Sequence, residues 1–118
     1  MAIRFMKAPV AGVESHWGIC EKPPMSKPID VFAEPESVAR YGEAPPRLVP
    51  GFADLQRMTR LLIAERAPED ARVLVVGAGG GLELKVFAES QPGWHFDGID
   101  PSAEMLKLAE ATLGPLVS

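Results

Sequence analysis

The sequence predicts an α/β chain in which helices wind a parallel sheet, and three observations carry that prediction. Two short apolar-rich runs, Arg72-Val73-Leu74-Val75-Val76 and Trp94-His95-Phe96-Asp97-Gly98-Ile99-Asp100, are each followed by a stretch of helical spacing. The first run is apolar on both faces, as a strand is in the middle of a helix-covered parallel sheet. A glycine-rich turn, Gly77-Ala78-Gly79-Gly80-Gly81, joins that run to the next helix.

Eight of the twelve prolines lie in the first 50 residues, which excludes long helices and central strands there. Residues 1–29 show no sustained period of 2 or 3.6 and read as an irregular N-terminal arm. Residues 30–50 read as a short helix with a Pro-rich lead-in. That helix covers Glu34 to Tyr41, with an early Pro35, acids at its front, Arg40 at its back and Gly42 to close it. From Gly51 onward the pattern is orderly, and residues 51–118 read as a partial cofactor-binding domain. Phe52, Leu55, Met58, Leu61 and Leu62 form an apolar stripe, with Asp54, Gln56, Arg57, Arg60 and Glu65 opposite, until Pro68 stops the helix. Strand 71–76 follows, then a helix over 82–90 ended by Gln91-Pro92-Gly93, and strand 94–100. A helix begins at Ser102, runs through Met105, Leu106, Ala109 and Leu113, and breaks at Gly114-Pro115. A right-handed crossover would make the two strands parallel neighbours.

The 118 residues are 47% hydrophobic and 24% charged, with 12 Lys+Arg against 16 Asp+Glu and a net charge of −4. That balance gives no chain-wide attraction to phosphate backbones or anionic membranes, so bulk nucleic-acid binding is not expected. One cysteine, Cys20, forms no intrachain disulfide, and two histidines without a Cys/His cluster give no metal-site spacing. No uninterrupted apolar run approaches the roughly 18 residues of a spanning helix, and the opening residues lack the apolar centre of a signal peptide. The expectation is a soluble, cytoplasmic, metal-free chain.

Candidate site residues follow from the strand ends. A glycine turn after a buried strand lets backbone approach a ligand, and the helix behind it offers free N–H groups at its positive end. Asp100 lies 23 residues after Gly77, at the end of the next strand, where a parallel sheet places its carboxylate beside the same crevice to accept from ribose hydroxyls. A nucleoside ligand is favoured over a bare phosphate. A tight turn with no ligand is the other reading of the glycines, as helix capping ahead of Pro101 is for Asp100. Leu82 stands where a dinucleotide fingerprint has its third glycine, which disfavours a nicotinamide cofactor, and no Lys-Ser or Lys-Thr pair completes a P-loop.

Val73 to Gly81 resembles the first motif of class I S-adenosylmethionine-dependent methyltransferases, and Phe96-Asp97-Gly98-Ile99-Asp100-Pro101-Ser102-Ala103-Glu104-Met105-Leu106 is similar to their second. The match spans about residues 50–113. The resemblance implies a Rossmann-like doubly wound parallel sheet, here cut short after the second strand–helix unit. It implies S-adenosyl-L-methionine as cofactor, with Gly77, Ala78, Gly79 and Gly81 against its methionine and ribose part, Asp100 on the ribose hydroxyls, and Pro101 and Met105 against adenine. For Met105 the alternative is core packing. The family commonly has an acid two residues before the first glycine to place the cofactor's ammonium group. This sequence has Val75 there, with Glu83 as a stand-in. Tyr41 falls where lid residues of the family reach over the cofactor, or else packs on the long helix. Val49-Pro50-Gly51-Phe52 resembles a segment of the bacterial carboxy-S-adenosylmethionine synthases.

The function implied is methyl transfer to an unidentified acceptor, this chain supplying the cofactor-binding part. No catalytic base is assigned: His95 reads as a structural strand residue, and His16 lies in the arm. The alternative is a non-catalytic S-adenosylmethionine- or nucleoside-binding or regulatory subunit completed by a partner chain. Two strands leave apolar edges and faces to cover, so self-association or a partner chain at the exposed sheet edge is expected.

Overall fold

The computed structural model describes residues 2–8, 32 and 34–117. Its elements in chain order are strand β1 (Ile3–Lys7), helices α1 (Pro35–Tyr41), α2 (Ala44–Leu48) and α3 (Phe52–Ala64), strand β2 (Arg72–Val76), helix α4 (Leu82–Ser90), strand β3 (His95–Asp100) and helix α5 (Ala103–Leu113), followed by a 3-10 turn. The sheet has three strands in the order β1-β3-β2, all parallel. The two strands read from the sequence are neighbours, with Val73 beside Phe96 and Val76 beside Ile99.

One expectation is corrected. The arm of residues 1–29 is not irregular throughout: Ile3–Lys7 pairs along the free edge of β3, Ile3 beside Phe96 and Lys7 beside Asp100. The run ends before Pro9, so each of its residues has an N–H to offer the ladder. Residues 9–31 lie outside the described residues.

Alternation along the strands gives the sheet two unlike faces. Ile3, Phe5, Val73, Val75 and Phe96 point to one side, where Leu84, Phe87 and Ala88 of α4, Leu113 of α5, and Ile63 and Ala64 of α3 pack on them. Trp94, just before β3, is buried in this core, and its indole N–H donates to the Pro68 carbonyl at 3.0 Å. On the other side the register puts Leu74, Asp97 and Arg4 in one row across the three strands, and Val76, Ile99 and Met6 in the next. No described helix covers that side, and Leu74 is 59% and Val76 74% exposed.

Helix α3 also turns differently from its expected stripe. Gln56 is buried and Ile63 and Ala64 reach the core, while Leu55, Met58, Leu61 and Leu62 are exposed. The helix meets the sheet layer through its last turn, and its first half lies across the glycine loop, where Phe52, Gln56 and Thr59 line a cavity.

Candidate functional site

The carboxyl ends of β2 and β3 come together as the spacing predicts. The N–H groups of Gly77 and Ala78 donate to the Ile99 carbonyl at 2.8 and 3.0 Å, which draws the start of the loop to the end of β3. Gly77, Gly79 and Gly81 all have positive φ (72°, 51° and 78°), which glycine adopts without the steric cost a Cβ carries. Asp100 is buried and ties the loop from the other strand. Its Oδ2 accepts from the Gly79 N–H at 2.9 Å and its Oδ1 from the Ser102 N–H at 2.8 Å. A carboxylate offers about four acceptor positions, so two remain for a ligand. The cap of α5 is Ser102, whose Oγ accepts from the Met105 N–H at 3.1 Å, so Asp100 is not the N-cap residue.

Two cavities flank the loop. One, of about 300 Å³, is lined by Phe32, Tyr41, Gly77, Gly79, Asp100, Pro101, Ser102 and Met105. The second, of about 270 Å³, shares Tyr41, Gly77 and Gly79 and continues past Ala78, Gly80, Gln56, Thr59, Leu82 and Glu83. Of the residues singled out from the sequence, Gly77, Gly79, Asp100, Pro101 and Met105 therefore share one cavity, and Ala78 and Glu83 belong to the other. Gly81 lines neither. A Cβ there would stand 2.9 Å from the Ala109 Cα, so its small size serves the close approach of the loop to α5. Val75 points into the core and presents nothing to the cleft.

The cleft has a definite electrostatic character. Its described lining holds two carboxylates, Asp100 and Glu83, and no Lys, Arg or His. Glu83 sits in the first turn of α4, where the helix's positive end favours a carboxylate. Lys7 lies beside Asp100 in the register but does not line either cavity. At the opposite end of the sheet Arg4, Arg72, His95 and Asp97, with Asp70 before β2, line a separate hollow. There the Arg72 Nε donates to Asp97 Oδ2 at 2.7 Å, which lowers the Asp97 pKa and raises that of Arg72. His95 is thus remote from the glycine loop. Among the described residues no group of three or more His, Cys, Asp or Glu is placed to hold a metal ion, and no helix is long and apolar enough to cross a membrane.

Phe32, Ser102 and Gly80 complete the site and were not singled out as site residues from the sequence. The Ser102 Oγ donates to the Phe32 carbonyl at 2.6 Å, and the Phe32 and Tyr41 rings meet edge to face with centroids 5.8 Å apart. A Cβ on Gly80 would lie 3.0 Å from Leu108 and 3.2 Å from Tyr41. An unbroken run of three glycines was the available signal for Gly80, whereas Phe32 is a lone aromatic in a Pro-rich segment and gave none.

The fold and the site together define an α/β chain with a parallel sheet and a glycine-loop cleft at its carboxyl ends. No protein-family model, curated protein or solved structure matches the chain.

Proposed function

We propose that the cleft binds S-adenosyl-L-methionine and that the chain supplies the cofactor-binding part of a methyltransferase. The observation that carries this reading is the cleft itself: two carboxylates and no cationic side chain in the described lining, on either side of a loop that bares its backbone. Such a lining repels a pyrophosphate and suits a nucleoside bearing positive charge. Asp100 holds the ribose hydroxyls through its two free acceptor positions. Pro101 and Met105 give the base an apolar wall, and Glu83 offers a carboxylate to the ammonium end in place of the acid missing at Val75. The cofactor, when bound, supplies an electrophilic methyl group on sulfur. Because displacement at that carbon depends chiefly on alignment, the chain contributes by holding the donor still while an acceptor approaches in line. The helix-covered face then corresponds to one half of a Rossmann-like doubly wound sheet.

Calorimetry with S-adenosylmethionine, S-adenosylhomocysteine and NAD tests the ligand. Either sulfur compound is expected to bind and NAD is not; tighter NAD binding would reverse the assignment. In the same titrations Asp100→Ala should weaken binding about tenfold or more, since each hydrogen bond to a charged acceptor contributes roughly 1.5–3 kcal/mol. An unaltered affinity would leave Asp100 as a tie for the loop and nothing more.

A second reading, a non-catalytic binding subunit completed by a partner chain, is favoured by the bare sheet face at Leu74 and Val76. Binding without methyl transfer to any of a broad acceptor panel, followed by turnover or altered affinity on adding a partner, would select it.

A further inference from the structure

Resting on the S-adenosylmethionine reading, we infer that Gln56 is a specificity residue: its side-chain amide donates to the cofactor's carboxylate, so the second cavity selects a ligand whose amino-acid end is intact. Gln56 lines that cavity from α3 and is only 8% exposed. None of the side-chain hydrogen bonds among the described residues involves its amide. No side-chain nitrogen or oxygen among those residues is at once sealed from solvent and without a partner, so this amide opens into the cavity that the residue lines. A buried amide left unpaired costs stability, and an apolar side chain at the same place would pack without that cost. A ligand group that pairs with the amide accounts for a glutamine there.

A second observation points to the same group. Helix α4 starts at the wall of this cavity, with Leu82 and Glu83 in the lining. Its first closing bond runs from the Lys85 N–H to the Gly81 carbonyl at 2.9 Å, and no side chain caps it. The N–H groups of Leu82, Glu83 and Leu84 therefore have no acceptor among the described residues. Thr59 also lines the cavity, but its hydroxyl donates to the Leu55 carbonyl at 2.9 Å. The cavity thus sets neutral donors, the Gln56 amide and the front of a helix, beside one carboxylate, Glu83. Such a set matches a group that carries both charges: an ammonium on Glu83, and a carboxylate on the amide and the helix N–H groups. With its ribose on Asp100, S-adenosylmethionine crosses the loop at Gly77 and Gly79, the glycines common to both cavities, and its amino-acid end enters this one.

The test is the ratio of affinities for S-adenosylmethionine and decarboxylated S-adenosylmethionine, measured by calorimetry on the full chain, with 5′-methylthioadenosine as a probe of the nucleoside end. Both sulfonium ligands carry the same nucleoside, sulfur and amine, so the ratio isolates the carboxylate. Gln56→Met keeps the length of the side chain and removes its N–H donors. It should lower the ratio about tenfold or more, the effect of losing a hydrogen bond to a charged acceptor, and leave the affinity for 5′-methylthioadenosine unchanged. The thermal midpoint of the ligand-free methionine variant should equal or exceed that of the unsubstituted chain, which separates a ligand contact from a structural one. Gln56→Glu sets a carboxylate against a carboxylate and should lower the ratio further. A ratio unchanged in both variants overturns the inference, as does 5′-methylthioadenosine binding the unsubstituted chain as tightly as S-adenosylmethionine, a result that leaves the nucleoside site standing. Failure of the unsubstituted chain to bind any of the three ligands overturns the S-adenosylmethionine reading itself, and this inference with it.

Discussion

Asp100 shows how one side chain organises the site before a ligand arrives. Its two carboxylate oxygens hold the Gly79 and Ser102 N–H groups, so the loop after β2 and the entry to α5 share one anchor. The spacing from Gly77 to Asp100 made this meeting legible in the sequence, because a parallel strand–helix–strand unit brings the ends of both strands to one edge. The division of labour among the glycines was not legible, since it depends on what each would touch. Gly77 has open space around its Cβ position and needs only its positive φ, whereas Gly81 needs both its φ of 78° and the gap against Ala109. Gly77→Ala should therefore cost about 1–2 kcal/mol for the left-handed backbone alone. Gly81→Ala adds overpacking of about 1–3 kcal/mol to the same backbone cost, which urea denaturation would resolve. Equal losses in the two variants would mean that α5 yields to the added methyl. In the folded fraction, Gly81→Ala should keep its affinity for the nucleoside ligand, because Gly81 lines neither cavity.

At the scale of elements, the strands and helices from residue 51 onward follow local pattern closely. Their signals are local: β-branched residues in a short run, proline and glycine at the ends, and 3.6 spacing between. Helix α3 shows the limit of that logic. Its amphipathic period is real, but which side meets protein depends on how far the helix overlaps the sheet, and only the turn of Ile63 and Ala64 does so. Strand β1 was missed for another reason. Only Ile3 and Phe5 of its five residues face the core, and the partner strand lies about ninety residues away in sequence, so no local period announces it. The strand nevertheless covers one edge of β3, and the Phe5 ring lies 3.0 Å from where a Cβ on Gly98 would be. Ile3 is almost wholly buried, so Ile3→Ala should destabilise the fold by about 2–5 kcal/mol, measured by urea denaturation. A loss below about 0.5 kcal/mol, the range of surface substitutions, would show that β1 contributes little to the sheet.

At the scale of the whole molecule, the helices that pack on the sheet, α3, α4 and α5, do so on one side. The other side presents Met6, Leu74 and Val76, and the outer edge of β2 has no described strand beside it. Exposed apolar faces and unpaired strand edges both promote association. Sedimentation of the purified chain should therefore show concentration-dependent self-association, and the double substitution Leu74→Lys with Val76→Lys should reduce it while leaving the far-ultraviolet circular dichroism unchanged. A monomer at all concentrations would mean that the face is covered by some part of this chain.

By itself the sequence determined the α/β class, the existence of β2 and β3, the glycine loop and the acid opposite it, because each is written in residues close together along the chain; that β2 stands at an edge of the described sheet, not in its middle, was decided by the tertiary structure. The tertiary structure decided which edge β1 fills, which side of α3 is buried, and that Phe32 and Tyr41 stand beside Asp100. Those arrangements rest on contacts between segments distant in sequence, such as the 2.6 Å bond from Ser102 to the Phe32 carbonyl. No periodicity within a single segment encodes a contact whose partner lies 70 residues away, and only packing the helices on the sheet brings the two together.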